Sequence, residues 1–224
     1  MDPVTFFVGS GAAAAMGKAI EMGIEGLAEL WEEAEEEVPK DHRTNPRPEF
    51  AGPLLEDAKY HGDSGVLRKT FRRLLSTGMD ERTQHLAHPA FVQILGQLSA
   101  DEAVLLKYLK DSIEPRGNAV IWRFWKRDEV GAPWGKSEIK FSGDVREIER
   151  MAFPENIEMY VSHLEHLGLL ESVEAFVESD KAHIEEDGSG PGKVIVQEPH
   201  AKQCDIRLSD FGAKFVDAAI PEDL

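Results

Sequence analysis

The chain has a single cysteine, Cys204, among its 224 residues, so it cannot form an internal disulfide. Nothing in its cysteine content points to an oxidising compartment. Cys204 falls on a predicted strand with no histidine near it in sequence, a setting typical of a buried structural thiol rather than a reactive one.

Long apolar runs are also missing. The uncharged stretch Val4–Gly17 has 14 residues, whereas a helix that crosses a membrane needs roughly 20. Asp2 is the only charged side chain before it, so the stretch lacks the basic segment that opens a signal peptide. We therefore expect a soluble, cytoplasmic protein without an integral membrane segment.

Basic side chains are scarce. The 25 Lys and Arg residues are outnumbered by 42 Asp and Glu residues, which gives a formal net charge of −17. The excess lies at the two ends, with 13 acidic and 5 basic side chains in residues 1–60 and 16 and 5 in residues 154–224. Such a charge keeps a protein soluble and repels phosphate backbones. Nucleic acid is therefore not an expected partner.

The chain lacks a recognisable catalytic or metal-binding constellation. His85 and His88, like His163 and His166, have the spacing of two metal ligands on a helix, but neither pair has a third ligand at a fixed distance in sequence. The glycine-rich stretch 188–192 lacks the lysine of a phosphate loop. We expect no catalytic residues, no metal and no cofactor, and hence no enzymatic activity.

Apolar periodicity and proline divide the chain into four segments. An apolar stripe from Met16 to Trp31 predicts an amphipathic helix that docks on protein, with peripheral membrane contact as the alternative. Four prolines in the next segment predict a linker that cannot stay helical. The predicted segments are an N-terminal amphipathic helix at residues 1–38, a Pro-rich linker at 39–53, a helical region at 54–98 and a last domain at 99–224.

The helical region contains the densest group of basic residues. Arg68, Lys69, Arg72 and Arg73 lie opposite a predicted apolar face. We interpret them as a solvated helix face that pairs with acidic neighbours. The apolar face itself consists of Leu67, Phe71, Leu74, Leu75 and Met79.

The last domain has the element order of a winged helix. Ser99 and Glu102 form a predicted capping box at the start of one helix, and Ser209 a predicted N-cap at the start of the final one. Gly168 is a predicted C-cap glycine, and Gly212 a position of close packing. The predicted elements are helices at 99–111, 144–152, 156–170 and 209–220, with strands at 171–177, 193–197 and 204–208. The expected fold class is mainly α with a small β component, N-terminal helices preceding a winged-helix-like C-terminal domain.

Four stretches of the sequence carry a resemblance to a known family. They are LRKTFRRLLSTGMD, HPAFVQILGQLSADEAVLLKYL, NIEMYVSHLEHLGLLES and LSDFGAKFV. Over residues 54–219 the chain resembles the abortive infection alpha family. One departure is that Phe71 is followed by Arg72 where the family usually has Ala. The resemblance implies a bacterial protein associated with phage defence or toxin immunity, and it implies no catalytic residue.

The predicted winged helix is poorly suited to DNA. Its candidate third helix, 156–170, contains Glu158 and Glu165 but no Lys or Arg, and its predicted wing tip is acidic at 185–187. A helix that reads the major groove normally supplies basic or amide side chains. We therefore expect a module that binds protein or self-associates. A winged-helix transcriptional regulator and an acidic mimic of DNA that occupies a basic toxin remain the alternatives.

Three tryptophans cluster within 13 residues, in a segment that we interpret as an insertion into the winged-helix order. Aromatic residues with interspersed arginine are typical of binding patches, although core packing is the other common use of tryptophan. The predicted partner-binding residues are Trp122, Arg123, Trp125 and Trp134.

Overall fold

A computed structural model of the chain describes residues 24–61, 65–111, 121–126, 137–141, 148–178 and 201–224. In these residues the chain forms seven α-helices and one four-stranded antiparallel sheet. The predicted fold class, mainly α with a small β component, is therefore confirmed.

The first three helices are α1 (Ile24–Glu36), α2 (Pro48–His61) and α3 (Gly65–Met79). In α1, Leu30, Trp31 and Ala34 are buried against the protein, so the described part of the predicted amphipathic helix docks as expected. The part of that prediction before Ile24 lies outside the described residues. The apolar face predicted for α3 is buried throughout.

The prediction that residues 39–53 cannot stay helical is wrong from Pro48 onward. Pro48 is the first residue of α2, a position where its missing N–H has no helical partner to lose. Pro53 lies inside the helix and removes one backbone hydrogen bond. Burial of Phe50, Ala51 and Leu54, at 1% exposure or less, offsets that loss. The division of the chain into four segments stays a prediction.

The next two helices, α4 (Pro89–Leu95) and α5 (Ala100–Asp111), each begin with a side-chain cap. The His88 ring accepts a hydrogen bond from the Ala90 N–H and so acts as the N-cap of α4. Ser99 forms the predicted capping box, since its N–H donates to Glu102 Oε2 at 2.8 Å and its Oγ accepts from the Glu102 N–H at 3.3 Å.

The sheet has the strand order β2-β1-β4-β3, all antiparallel. Its strands are β1 (Ile121–Lys126), β2 (Glu138–Phe141), β3 (Leu170–Glu178) and β4 (Ala201–Leu208). β1 is an interior strand paired with β4 from Ile121↔Ile206 to Lys126↔Ala201. The tryptophan-containing segment thus contributes β1 to the sheet, and its interpretation as an insertion into the winged-helix order stays a prediction.

The last two helices are α6 (Ile157–His166) and α7 (Asp210–Ala219). Gly168, which follows α6, has φ +74°, and the Ser209 side chain caps α7 by accepting from the Gly212 N–H at 2.9 Å. An ideal Cβ on Gly212 would lie 1.9 Å from the Leu169 carbonyl oxygen. The predicted roles of both glycines and of Ser209 are confirmed.

Parts of the winged-helix prediction fall outside the described residues. These are the start of the predicted helix 144–152, the strand at 193–197 and the acidic tip at 185–187. The described end of that helix contains the short 3₁₀ helix Ile148–Arg150. The winged-helix assignment stays a prediction.

One hydrophobic core joins the helices to the sheet. It runs from Leu30 on α1 to Ile220 after α7 and includes Ile121 and Ile206 from the two central strands. A buried hydrogen bond of 2.8 Å, from Thr77 Oγ1 on α3 to the Ala218 carbonyl on α7, crosses it. The C-terminal helix is thereby fixed against the N-terminal ones.

Candidate interaction surface

Helix α6 presents three different environments around its axis. Tyr160, Val161 and Leu164 point into the core and are at most 5% exposed. Their spacing of three and four residues places them on one helical face. Of the other side chains, Ile157 packs against the core, His163 faces Glu102 of α5, and Glu158 and Glu165 face the sheet.

Toward the sheet, α6 is held by a charged group of three side chains. Arg123, on β1, is 9% exposed; its Nε lies 3.0 Å from Glu158 Oε1 and its Nη1 2.9 Å from Glu165 Oε2. The Nε contact is a charge pair rather than an aligned hydrogen bond, since Arg123 Nε has no hydrogen-bond acceptor. The two glutamates of the predicted third helix are thus paired with one arginine from the sheet.

A second polar group fixes the turn that precedes α6. The buried Asp101 carboxylate accepts hydrogen bonds from the N–H groups of Ala152 and Phe153, at 2.8 and 2.9 Å, and from the Tyr160 hydroxyl at 2.9 Å. Burial first, and the hydrogen bond to Asp101 second, raise the pKa of Tyr160. The position of Phe153 is therefore set by a network that reaches back to α5.

One histidine of each pair, His163 and His88, makes a structural hydrogen bond. His163 Nδ1 lies 2.6 Å from Oε1 of Glu102, which is also the capping-box residue of α5. His88 caps α4. Within the described residues, no group of three or more His, Cys, Asp or Glu side chains is arranged to hold a metal ion. Cys204 is 4% exposed, and its burial agrees with its prediction as a buried thiol.

The solvent side of α6 carries an apolar surface. Phe153, just before the helix, is 57% exposed, and Met159, in its first turn, is 59% exposed. Ser162 and His166 are exposed farther along the helix. We call these four residues the α6 surface. None of the four is a Lys or Arg, and among the neighbouring residues Glu149, Arg150 and Glu155 are exposed.

The predicted partner-binding residues are only partly brought together. Trp122 and Trp125 are half-buried on β1, and the Arg123 guanidinium carbon lies 5.8 Å from the centroid of the Trp125 ring. Arg123 is engaged by the two glutamates of α6. Trp134 lies outside the described residues. A partner-binding role for these four residues stays a prediction.

The sequence contains only a weak signal for the α6 surface. Ile157, Tyr160, Val161 and Leu164 already fill the inward face of the helix, so Met159 is an apolar residue that lies off that face. Phe153 falls in a turn, where no periodic pattern assigns a side. Its exposure follows from the backbone hydrogen bonds to Asp101, 51 and 52 positions away.

Two hollows lie elsewhere on the described part of the molecule. The larger, about 290 Å³, is lined by Trp31, Glu35, Arg43, Thr44, Asn45 and Met79. Arg43 there contacts Glu35 at 3.3 Å and donates to the Val38 carbonyl, so its charge is already paired. The smaller, about 150 Å³, is lined by Val66, Val104, Lys107, Arg150 and Leu224. Both fall below the usual size of a small-molecule site.

A mainly helical α+β protein with an exposed apolar surface on α6 is thus the class of molecule that the fold defines. Residues 22–219 match the family model for abortive infection alpha, and the chain belongs to this family. The resemblance found in the sequence is confirmed, and it associates the protein with abortive infection. No curated protein and no solved structure matches the chain. In the described residues, no helix combines the length and apolarity needed to cross a membrane.

Proposed function

We propose that the protein takes part in phage defence in the bacterial cytoplasm as a binding protein, not an enzyme, and contacts a protein partner through the α6 surface. The observation that carries the proposal is the exposure of Phe153, in the turn before α6, and of Met159, in the first turn of α6, at 57% and 59%. Apolar side chains exposed together, with polar residues around them, are typical of protein interaction sites.

The charge around the surface indicates the kind of partner. The chain has a formal net charge of −17, and Glu155 is exposed two residues after Phe153, while the exposed Glu149 and Arg150 before it balance each other. A complementary partner has an apolar centre with Lys or Arg around it, since opposite charges speed association and disfavour wrong partners. A basic toxin or phage protein fits this description.

The polar groups near the surface support binding over catalysis. The Asp101 carboxylate accepts hydrogen bonds from the turn before α6 and from Tyr160. Glu102 belongs to the capping box of α5, and His163 contacts Glu102. These contacts hold the surface in place and leave each carboxylate with a structural task. The alternative of a DNA-binding regulator is less well supported, because α6 supplies no Lys or Arg to a groove.

The test is a protection assay in a bacterial host challenged with a panel of phages. Replacing Phe153 and Met159 together by Ser should abolish protection, while the variant keeps the wild-type melting temperature. The matched control is Tyr60→Ser, since Tyr60 is 78% exposed on α2, away from α6. A photo-crosslinking residue at position 159 should give a discrete adduct with a basic protein, and one at position 60 should not.

Two results would contradict the proposal. The first is full protection by the Phe153→Ser, Met159→Ser variant. The second is retardation of random-sequence duplex DNA by the wild-type protein at about 150 mM salt, which would favour the regulator instead.

A further inference from the structure

The basic face of α3 is almost fully occupied by carboxylates from the two ends of the described chain. Arg68 contacts Glu33 at 2.9 Å and Glu29 at 3.7 Å. Arg72 contacts Glu37 at 2.6 Å and Glu33 at 3.7 Å. The five side chains alternate in sign along the boundary of α1 and α3.

The carboxylates of α1 form a regular row. Glu29, Glu33 and Glu37 are four residues apart, which corresponds to a rise of about 6 Å per step along a helix. Each arginine of α3 lies between two of them. Of the other glutamates in the same acidic run, Glu32 and Glu36 are exposed, and Glu35 contacts Arg43.

The C-terminal residues cover the rest of the face. Lys69 Nζ lies 3.0 Å from Asp223 Oδ2. Glu222 contacts Lys110 of α5 at 2.7 Å. Lys110 foremost, and Lys107 and Arg73 to a smaller extent, lower the pKa of Glu222. Arg68, Lys69 and Arg72 of α3 thus each contact an acid supplied from outside α3.

We propose that the basic face of α3 is a latent binding surface for the phosphate backbone of nucleic acid, occupied in this structure by the carboxylates of α1 and of the C-terminal residues. A row of evenly spaced negative charges is what such a backbone presents. The glutamates of α1 occupy the surface in the same manner. The proposal goes beyond the proposed function and uses none of the residues of the α6 surface.

The setting of α3 favours a nucleic acid over a lipid surface. Membrane binding by a basic helix requires apolar side chains that can enter the lipid beside the cations. The apolar side chains of α3 are committed to the core, with Phe71, Leu74 and Leu75 at most 1% exposed. A phosphate backbone needs only the cations, held at fixed positions.

Two variants with the same change in net charge test the proposal on the full chain. The opened variant replaces Glu29, Glu33 and Glu37 by Gln. The control replaces Glu32, Glu36 and Glu49, which are exposed, by Gln. Binding of a fluorescent single-stranded oligonucleotide of about 20 nucleotides is measured by anisotropy at 50 mM salt, after circular dichroism shows that both variants are folded.

The opened variant should bind at least tenfold more tightly than the wild type and the control. Its affinity should fall about sevenfold between 50 and 200 mM salt if the two released arginines, Arg68 and Arg72, neutralise two phosphates. Adding Arg68→Gln and Arg72→Gln should remove the binding. If the triple variant does not fold, Glu33→Gln replaces it, because Glu33 contacts both arginines, with Glu32→Gln as its control.

Equal binding by the opened variant and the control would overturn the proposal, since it would show an effect of net charge alone. Absence of binding by a folded opened variant would do the same. Binding to anionic phosphatidylserine vesicles or to an acidic peptide, but not to the oligonucleotide, would show that the surface takes another class of partner.

Discussion

At the scale of single residues, Gly212 leaves the least room for a side chain among the described glycines. Its ideal Cβ would meet the Leu169 carbonyl oxygen, a backbone atom that cannot turn aside. Gly212→Ala should therefore destabilise the protein by about 2–3 kcal/mol. Gly52→Ala is the matched control, because no atom lies within 4 Å of its Cβ position in α2. The control should be neutral or stabilise by up to about 1 kcal/mol. Urea unfolding of both variants measures the difference, and similar effects would show that the packing at Gly212 relaxes.

Asp101 is a second residue whose side chain makes several structural hydrogen bonds. Asp101→Asn leaves one acceptor oxygen where two N–H groups and the Tyr160 hydroxyl now donate, so it should cost about 1–3 kcal/mol of the free energy of unfolding. Tyr160→Phe removes one of those bonds and should cost about 1 kcal/mol. Asp217→Asn, at an exposed site on α7, should change stability little. A double-mutant cycle of Asp101 and Tyr160 that shows no coupling would contradict the network.

At the scale of elements, Arg123 joins β1 to α6. Arg123→Met should cost about 2 kcal/mol, because it leaves the carboxylates of Glu158 and Glu165 without their cation. Replacing both glutamates by Gln should restore part of the loss. The control is Arg207→Met on β4, whose ion pair with Glu171 is 60% and 46% exposed and worth at most about 0.5 kcal/mol. Thermal unfolding compares them, and an effect of Arg123→Met no larger than that of Arg207→Met would show that Arg123 does not hold α6.

The elements that the sequence predicts well are those with local signals. The apolar spacing of Leu67, Phe71 and Leu74, and the caps at Ser99 and Ser209, lie within one or two helical turns. The start of α2 was missed because proline is a local signal against helix, whereas the burial of Phe50 and Leu54 depends on the whole fold. Local propensity is routinely overridden by such packing.

The sheet and the candidate site depend on contacts that no local pattern shows. The strand pair Ile121↔Ile206 joins residues 85 positions apart. Arg123 is likewise far in sequence from Glu158 and Glu165, so no local pattern predicts that they pair. In the structure these two acids of α6 therefore contact a cation of the sheet. Charge type was predictable from the sequence, but its partners were not.

At the scale of the whole molecule, the ion pairs of the C-terminal acids make the stability of the protein depend on pH. Hydrogen bonds from Lys110 and from Lys69 lower the pKa values of Glu222 and Asp223 below their usual range. Carboxyls with a depressed pKa stabilise the fold above their unfolded pKa, about 4, and lose that contribution as pH falls through the folded value. Both side chains are well exposed, so the sum should stay below about 1 kcal/mol.

The measurement is the melting temperature between pH 6 and pH 3. The wild type should lose stability over the acidic part of this range, and the Glu222→Gln, Asp223→Asn variant should start lower at pH 6 and approach the wild type near pH 3. Parallel curves at all pH values would show that these two pairs do not contribute to acid sensitivity.

The continuity of the core makes a prediction about cooperativity. Buried side chains from α1 to the residue after α7 form one cluster, and Thr77 links α3 to α7 across it. Elements that share one core are expected to unfold together in a single cooperative step. Far-UV circular dichroism and tryptophan fluorescence should therefore give coincident urea transitions. Limited proteolysis should spare residues 48–53, where Phe50, Ala51 and Pro53 belong to α2. Two separated transitions, with early cleavage between residues 39 and 53, would instead support the four-segment division and show that the helices before and after this stretch fold as separate units.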